Sequence, residues 1–514
     1  PPPAPSPTSK PVKNMFTKYR LNNMLLGSLL CSVALFSAAC DDNDKFPEEE
    51  TAPQPVWVDG DVRVLTTTNN RSKDLTPSAI SFSSKDNMSP RSIYLDPSQT
   101  YQEIDGFGAA ITGSAAYNLM KMAPEDRAKF LKETFSVTEG YGMSYIRICI
   151  GCSDFSLSEY TCCDTPGIEN FALTAEETSY VIPVLKEILA INPDIKILGS
   201  PWTAPRWMKV NNLTDLQPTT SWTGGQLNPA YYQDYAEYFV KWIQAFRQNG
   251  IEIHAVTLQN EPLNRGNSAS MFMGWEEQRD FIKQAVGPKF AAAGITAKIY
   301  AFDHNYNYDN MADQQGYPTK IYADADASRY IAGAAYHNYG GNRDELNKVH
   351  AAYPDKELIF TESTAGDWND GANLSTHLVA DMEELALGTV NNWARGAIIW
   401  NLMLDANRGP NRPGGCINGF GAVDIDASYK NIQRNSFYYN MCHMSAVVKP
   451  GARRIATSGY TASGLTYAAF RNPDGTYAFV ASNNSSEEQK ITLDDGNRHF
   501  SASVPAKGIA SFIW

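Results

Sequence analysis

Ala255-Val256-Thr257-Leu258-Gln259-Asn260-Glu261-Pro262 is an apolar, partly β-branched run that ends in a polar pair and is stopped by proline. It reads as a strand with Asn-Glu at its C-terminal tip, since proline cannot extend a ladder. Leu358-Ile359-Phe360-Thr361-Glu362-Ser363 repeats the arrangement further on. Two strands, each ending in a carboxylate inside an alternating strand–helix pattern, point to a barrel hydrolase that works with a carboxylate pair. One strand-end Glu alone carries little, because it also serves as a helix cap.

Working outward, the alternation holds from residue 104. The strands read as Ile104 to Thr112, Ser144 to Ile148, Ile195 to Ser200, Ala255 to Asn260, Ala297 to Phe302, Ala334 to Tyr336, Glu357 to Phe360 and Ala397 to Leu404. Helices separate them. Pro124 with Glu125 and Asp126 opens one, and Thr174 with Glu177 makes a capping box for the next. Eight such units predict an α/β fold, a closed (β/α)8 TIM barrel, with every strand tip on one face. The open doubly wound sheet is the rival. Gly106-Phe107-Gly108 lacks the third glycine that a phosphate-binding turn in such a sheet would carry.

The flanks are β-rich. Val62 to Leu65 and Ala79 to Phe82 lie before the barrel; Leu465 to Phe470, Thr476 to Ser482 and Gln489 to Leu493 follow it, with a hairpin turn at Pro473-Asp474-Gly475. Neither flank is thick enough alone. The two are expected to join in an accompanying β-sandwich domain built from both chain ends. The predicted division is 1–39 leader and lipoprotein signal peptide, 40–55 tether, 56–103 N-terminal part of the sandwich, 104–430 barrel, and 431–514 last barrel helix and C-terminal sandwich.

The chain has 514 residues and a net charge of -13. Nothing basic is clustered enough to suggest nucleic acid. The leader reads as a signal peptide: Lys18 and Arg20, then a largely apolar Met24 to Phe36, then Ser37-Ala38-Ala39-Cys40. Small residues before a cysteine resemble a bacterial lipoprotein box, with Cys40 lipidated. Asp41-Asp42-Asn43-Asp44 behind it resembles a surface-export signal. Loss of Lys10, Lys13, Lys18 and Arg20 with the leader would take the charge from -13 to about -17, which favours solubility over contact with anionic polymers. Six cysteines remain, too few and uneven for a disulfide framework. Cys149 and Cys152 have no histidine set beside them, so no metal and no cofactor is expected.

In such a barrel Glu261 and Glu362 reach the same mouth from strands four and seven. Glycoside hydrolysis needs one carboxyl protonated and one ionised. Glu261 is assigned as acid/base and Glu362 as nucleophile, with Asn260 placed to bind a sugar 2-hydroxyl.

A longer set of residues carries a family resemblance: Ser200-Pro201-Trp202-Thr203-Ala204-Pro205-Arg206-Trp207-Met208-Lys209, Asn260-Glu261-Pro262, Thr361-Glu362 and Trp400-Asn401-Leu402-Met403-Leu404-Asp405. Together they resemble glycoside hydrolase family 30, which includes glucosylceramidases, endo-β-1,6-glucanases and xylanases. The resemblance spans about residues 56–514 and implies retaining hydrolysis. It implies that Trp202 and Trp400 line the sugar subsite, and that Arg147 lies beneath the nucleophile and keeps it ionised. It places His337 and Tyr339 at the tip of strand six. Gly113 stands where glucosylceramidase-like members carry a glucose-binding Asp, and Asn338 where they carry Trp. Asp154 or Asp303 is expected to supply part of the missing contact. Trp207 and His304 are further candidate substrate contacts.

Within the family the chain resembles the Bacteroides branch of endo-β-1,6-glucanases. The expected activity is retaining endo-β-1,6-glucan hydrolysis through a covalent glycosyl-enzyme, on a polysaccharide substrate. The alternative is a glucosylceramidase or exo-acting β-glucosidase. The expected setting is the bacterial cell surface, as an outer-membrane lipoprotein with glycan-uptake proteins of that membrane as partners.

Overall fold

The computed structural model describes residues 57–84 and 89–514. The predicted leader and signal peptide, Cys40 and the tether lie outside the described residues.

Eight parallel strands form the barrel: Gly106–Ala109, Tyr145–Ile150, Lys196–Pro201, Ala255–Thr257, Lys298–Asn305, Gly333–His337, Glu357–Glu362 and Ala394–Ile399. Each pairs with the next, and the eighth pairs with the first. A parallel bridge between Ala110 and Arg147 joins the first to the second and closes the ring. Inward-facing Tyr145, Leu198, Ala255, Tyr300, Ala335, Ile359 and Ile398 pack against one another in the lumen, so the barrel is filled.

The eighth strand differs from the sequence reading: it runs Ala394–Ile399, not Ala397 to Leu404. Asn401 takes a φ of +58° and turns the chain away. Met403–Asp405 then joins Val423–Ile425 and Ile432–Arg434 in a separate small sheet. The short helix before strand six spans Ala325–Ser328.

The bottom of the barrel is held by charge. Asp105 accepts from Lys196 Nζ at 2.5 Å and from Arg395 Nε at 2.8 Å. Glu357 accepts from Lys298 at 2.9 Å and Tyr300 at 2.6 Å. Burial alone raises the Asp105 carboxyl; the hydrogen bonds and charges of Arg395 and Lys196 outweigh this and hold it well below the usual carboxylate range. Removing one partner of a buried pair typically costs about 3–5 kcal/mol. These residues sit at strand N-termini, the face of this fold that carries stability rather than chemistry.

The second sheet has nine strands. Its order is Thr76–Ile80, Val62–Thr68, Gly508–Ile513, Tyr477–Asn483, Leu465–Arg471, Arg453–Gly459, Ser92–Glu103, Gln489–Asp494 and His499–Val504. Both chain ends contribute, as expected. The sheet folds over itself. Phe500 near one edge meets Phe512 and Trp514, with ring centroids 6.1 and 5.0 Å apart. Val62, Ile93, Leu493, Phe479 and Phe512 share the enclosed core. The outer face packs on the barrel through helix Ser436–Ser445, where His443 meets Ser511 and Thr67, each at 2.8 Å. All six cysteines among the described residues are free thiols.

Candidate active site

Strand four is short, but its tip stays in register. Asn260 N–H donates to Pro201 O at 2.7 Å, and Glu261 N–H donates to Asp303 O at 3.0 Å. These bonds hold the Asn-Glu pair between strands three and five. Glu261 itself sits at φ +45°, a conformation costly for a residue with a β-carbon and common where a side chain must be aimed.

Beneath the pair lies Arg147, fully buried on strand two. Its Nη1 donates to Glu362. Its Nη2 donates to Asn260 Oδ1 and Asp303 Oδ2, both at 2.8 Å, and its Nε to Ser200 Oγ at 3.2 Å. One guanidinium thus ties strands two, three, four, five and seven. Planar fork geometry makes arginine suited to this task.

Asp303 reaches the same point through a bulge. Phe302 and Asp303 both have φ of +72°, and the register with strand six shifts between Phe302 and His304. A bulge re-aims a side chain in this way. Asp303 was expected to face the sugar; instead both its oxygens are occupied below it. Oδ2 accepts from Arg147, Ser200 and Thr257, and Oδ1 from Thr361 at 2.6 Å and His337 Nε2 at 3.0 Å. It is fully buried.

The two glutamates meet above this floor. Single donor atoms of Glu261, His337 and Glu362 lie within 4.8 Å of one another. Glu261 Oε1 is 3.3 Å from His337 Nδ1, and its Oε2 accepts from Asn264 and Asn267, each at 2.8 Å. Glu362 Oε1 accepts from Tyr339 Oη at 2.9 Å. Burial raises Glu261, but the His337 hydrogen bond and the charges of His304 and His337 overcome it and bring Glu261 down to about 2. Burial lowers His337, yet Glu362 and Asp303 overcome that and raise it to about 9. For Glu362 burial wins. It pushes the carboxyl up against the pull of His337 and Arg147, with the Glu261 charge adding to the rise. Arg147 therefore makes the expected contact but does not set the net direction. His337 has carboxylates at both nitrogens and is cationic below about pH 9, so it is a poor metal ligand even though the three groups are close enough to surround an ion.

Trp202 and Trp400 stack at 4.9 Å and 23°, with the Arg147 guanidinium 5.0 and 5.3 Å from their rings. Trp400 Nε1 is buried and finds no acceptor among the described residues. Asp154, half-buried on the loop after strand two, also has an oxygen without a partner among them. Burial and the charges of Glu362 and Glu261 raise it to about 8. Two expected substrate contacts are placed elsewhere. Trp207 donates to Cys163 O at 2.8 Å and packs edge-on against Tyr231 at 5.1 Å, so it braces outer loops. His304 is buried behind Glu261, 3.2 Å from Asp309 and 3.9 Å from Glu261, and supports that carboxylate.

Sequence reading missed several residues. Asn264 and Asn267 follow Glu261 closely, but only the folded loop turns both back onto its oxygen. Glu176 is the second. A β-carbon on Gly113 would lie 1.7 Å from Glu176 Oε1. A carboxylate from a distant segment fills the space beside the glycine and would have to shift to admit a side chain there.

The glycosyl hydrolase family 30 TIM-barrel domain description matches residues 104–448, and the family 30 beta sandwich domain description matches residues 451–512. The solved structure of the endo-β-1,6-glucanase BT3312 is 64% identical, covers 89% of this chain and 99% of its own, and superposes with a TM-score of 0.87. The endo-1,6-β-D-glucanase BGN16.3 of Trichoderma harzianum is 33% identical over 445 residues, covering 81% of this chain and 85% of its own length. The lysosomal acid glucosylceramidase of Mus musculus is 29% identical over 451 residues, covering 82% of each.

Proposed function

The chain belongs to glycosyl hydrolase family 30, and from that premise we propose that it is a retaining endo-β-1,6-glucanase with Glu362 as nucleophile and Glu261 as acid/base. The observation that carries the mechanism is that one oxygen of Glu261 and one of Glu362 lie within 4.8 Å of each other, which supports the short carboxyl spacing. Retaining glycosidases hold them about 5–5.5 Å apart, whereas inverting ones leave about 6.5–9.5 Å for a water.

In the first step a Glu362 oxygen bonds to the anomeric carbon and the glycosidic C–O bond breaks. Its electron pair goes to the leaving oxygen, which takes a proton from Glu261. At rest Glu261 is ionised and the proton sits on His337, 3.3 Å away; His337 passes it to Glu261 as the glycosidic bond breaks and takes back the proton that Glu261 draws from water in the second step. Glu362, raised by burial, is a stronger nucleophile once ionised. In the second step Glu261 takes a proton from water, the water oxygen attacks the anomeric carbon, and the Glu362 ester bond breaks. Arg147 and Tyr339 receive the freed carboxylate. Asn260, Trp202, Trp400 and Asp154 are the proposed sugar contacts, with the open Trp400 N–H and Asp154 oxygen as the groups left to pair with hydroxyls.

The 64% identity to BT3312 supports the β-1,6-glucan substrate. Linear β-1,6-glucan should give mixed oligosaccharides that first appear as β-anomers by NMR. No cleavage, with glucose released from glucosylceramide, would reverse the substrate order; α-anomers would overturn retention.

The setting is a bacterial cell surface, with Cys40 lipidated and outer-membrane glycan-uptake proteins as neighbours; the Ser37-Ala38-Ala39-Cys40 box supports it. Wild-type protein in a Gram-negative host should take up radiolabelled palmitate, and Cys40→Ser should not. Equal labelling of the two would remove the anchor.

A further inference from the structure

Among the described residues, Tyr339 is 43%, Trp368 43% and Ile417 72% exposed. Of the other large exposed apolar side chains, Val58, Tyr94 and Val137 lie away from the barrel mouth and Leu216 lies on the loop after strand three. Tyr339, Trp368 and Ile417 instead occupy the mouth-side loops after strands six, seven and eight. Exposed apolar groups gathered on one face mark a binding surface more often than scattered ones.

Trp368 is held firmly. Gly366 bridges to Gly419, Asp367 N–H donates to Asn418 O at 3.0 Å, and Phe420 N–H donates to Ala365 O at 2.8 Å. Arg408 donates to Asp367 Oδ1 at 3.2 Å. The indole rests against Gly366, where a β-carbon would lie 2.1 Å from Trp368 Cζ3. One side of the ring is thus seated on backbone while the rest stays open. On the neighbouring loop Tyr339 bonds Glu362 through its hydroxyl while the residue stays 43% exposed.

We propose that Trp368, between Tyr339 and Ile417, is a stacking platform for a glucosyl unit of the substrate chain beyond the unit attacked by Glu362. The inference rests on the glucan reading above. A chain cut internally continues past the central sugar, and the apolar C–H face of a pyranose suits an open indole whose entropy is already spent. The place of Trp368 on the loop that follows the Glu362 strand, beside the loop whose Tyr339 bonds Glu362, argues for the glucan itself as the occupant.

The test measures kcat and KM on β-1,6-linked glucose oligomers of rising length and on the polymer. Trp368→Ala should raise KM for the polymer about tenfold, the equivalent of about 1.4 kcal/mol. It should also flatten the rise of kcat/KM with chain length. Trp368→Phe should restore most of that rise. A loss uniform across all lengths marks a structural role and overturns the platform, as does no change. The wild-type control separates the two readings. If it ignores β-1,6 oligomers but cuts another β-glucan, the linkage fails, and the same series on that glucan still decides the platform.

Discussion

Glu362→Gln abolishes turnover on β-glucan while the protein stays folded: that is the expected result of removing the group we propose bonds the anomeric carbon. The loss should be at least about 10^4-fold, the scale on which removal of a covalent nucleophile acts. Gln keeps the shape: its one amide oxygen still accepts from Arg147, and its NH2 takes the place of the oxygen that faced Tyr339, whose hydroxyl can turn to accept from it. Arg147 also retains Asp303 as its anion. Burial already pushes the Glu362 carboxyl toward its neutral form, so a neutral isostere relieves a desolvation cost. The thermal midpoint should hold or rise. Brief exposure of wild-type enzyme to a 2-deoxy-2-fluoroglucosyl substrate should add one sugar mass on the peptide carrying Glu362, and the variant should add none. Retained wild-type rate, or a label on another residue, would sink the nucleophile assignment.

The strands and the two glutamates were legible because they depend on local pattern. Apolar runs stopped by Pro262 or followed by a capping turn declare themselves within a few residues. Asp303 was not legible in its true role. Its sequence position marks a strand tip, but two successive residues at φ +72° turn it onto Arg147, His337 and Thr361, and nothing in Phe302-Asp303-His304 announces a bulge. Glu176 was hidden for a different reason. The Gly113 departure was visible, while the carboxylate packed against it arrives from more than sixty positions away. Trp207 stood inside a matching motif, yet its indole N–H is satisfied by Cys163 O in an adjoining loop. Protonation depends on burial and neighbours together, so the elevation of Glu362 despite Arg147 could only come from three-dimensional packing.

Glu261→Gln separates the two steps of the reaction. The leaving group of a glucan is an alkoxide that needs a proton, so its hydrolysis should fall about 10^2–10^4-fold. An aryl glucoside with an acidic phenol needs no such help. It should still load Glu362 and then stall, because no base activates water. Azide needs no base and should restore turnover, yielding the β-glucosyl azide by a second inversion at the anomeric carbon. The pH profile tests the proton source. His337 is raised to about 9 by Glu362, Asp303 and its bond to Glu261; it is therefore cationic below that pH and loses its proton above it. Wild-type kcat/KM should fall on the alkaline side near pH 9, where the proton shared with Glu261 is gone. On the acid side it should fall as Glu362, raised above its ordinary value by burial, takes up a proton. In Glu261→Gln, an activated aryl glucoside should lose the alkaline fall and keep the acid one, since Glu362 must still ionise to attack. An alkaline limb that persists unchanged, or an α-azide product, would show that Glu261 is not the group that hands the proton over.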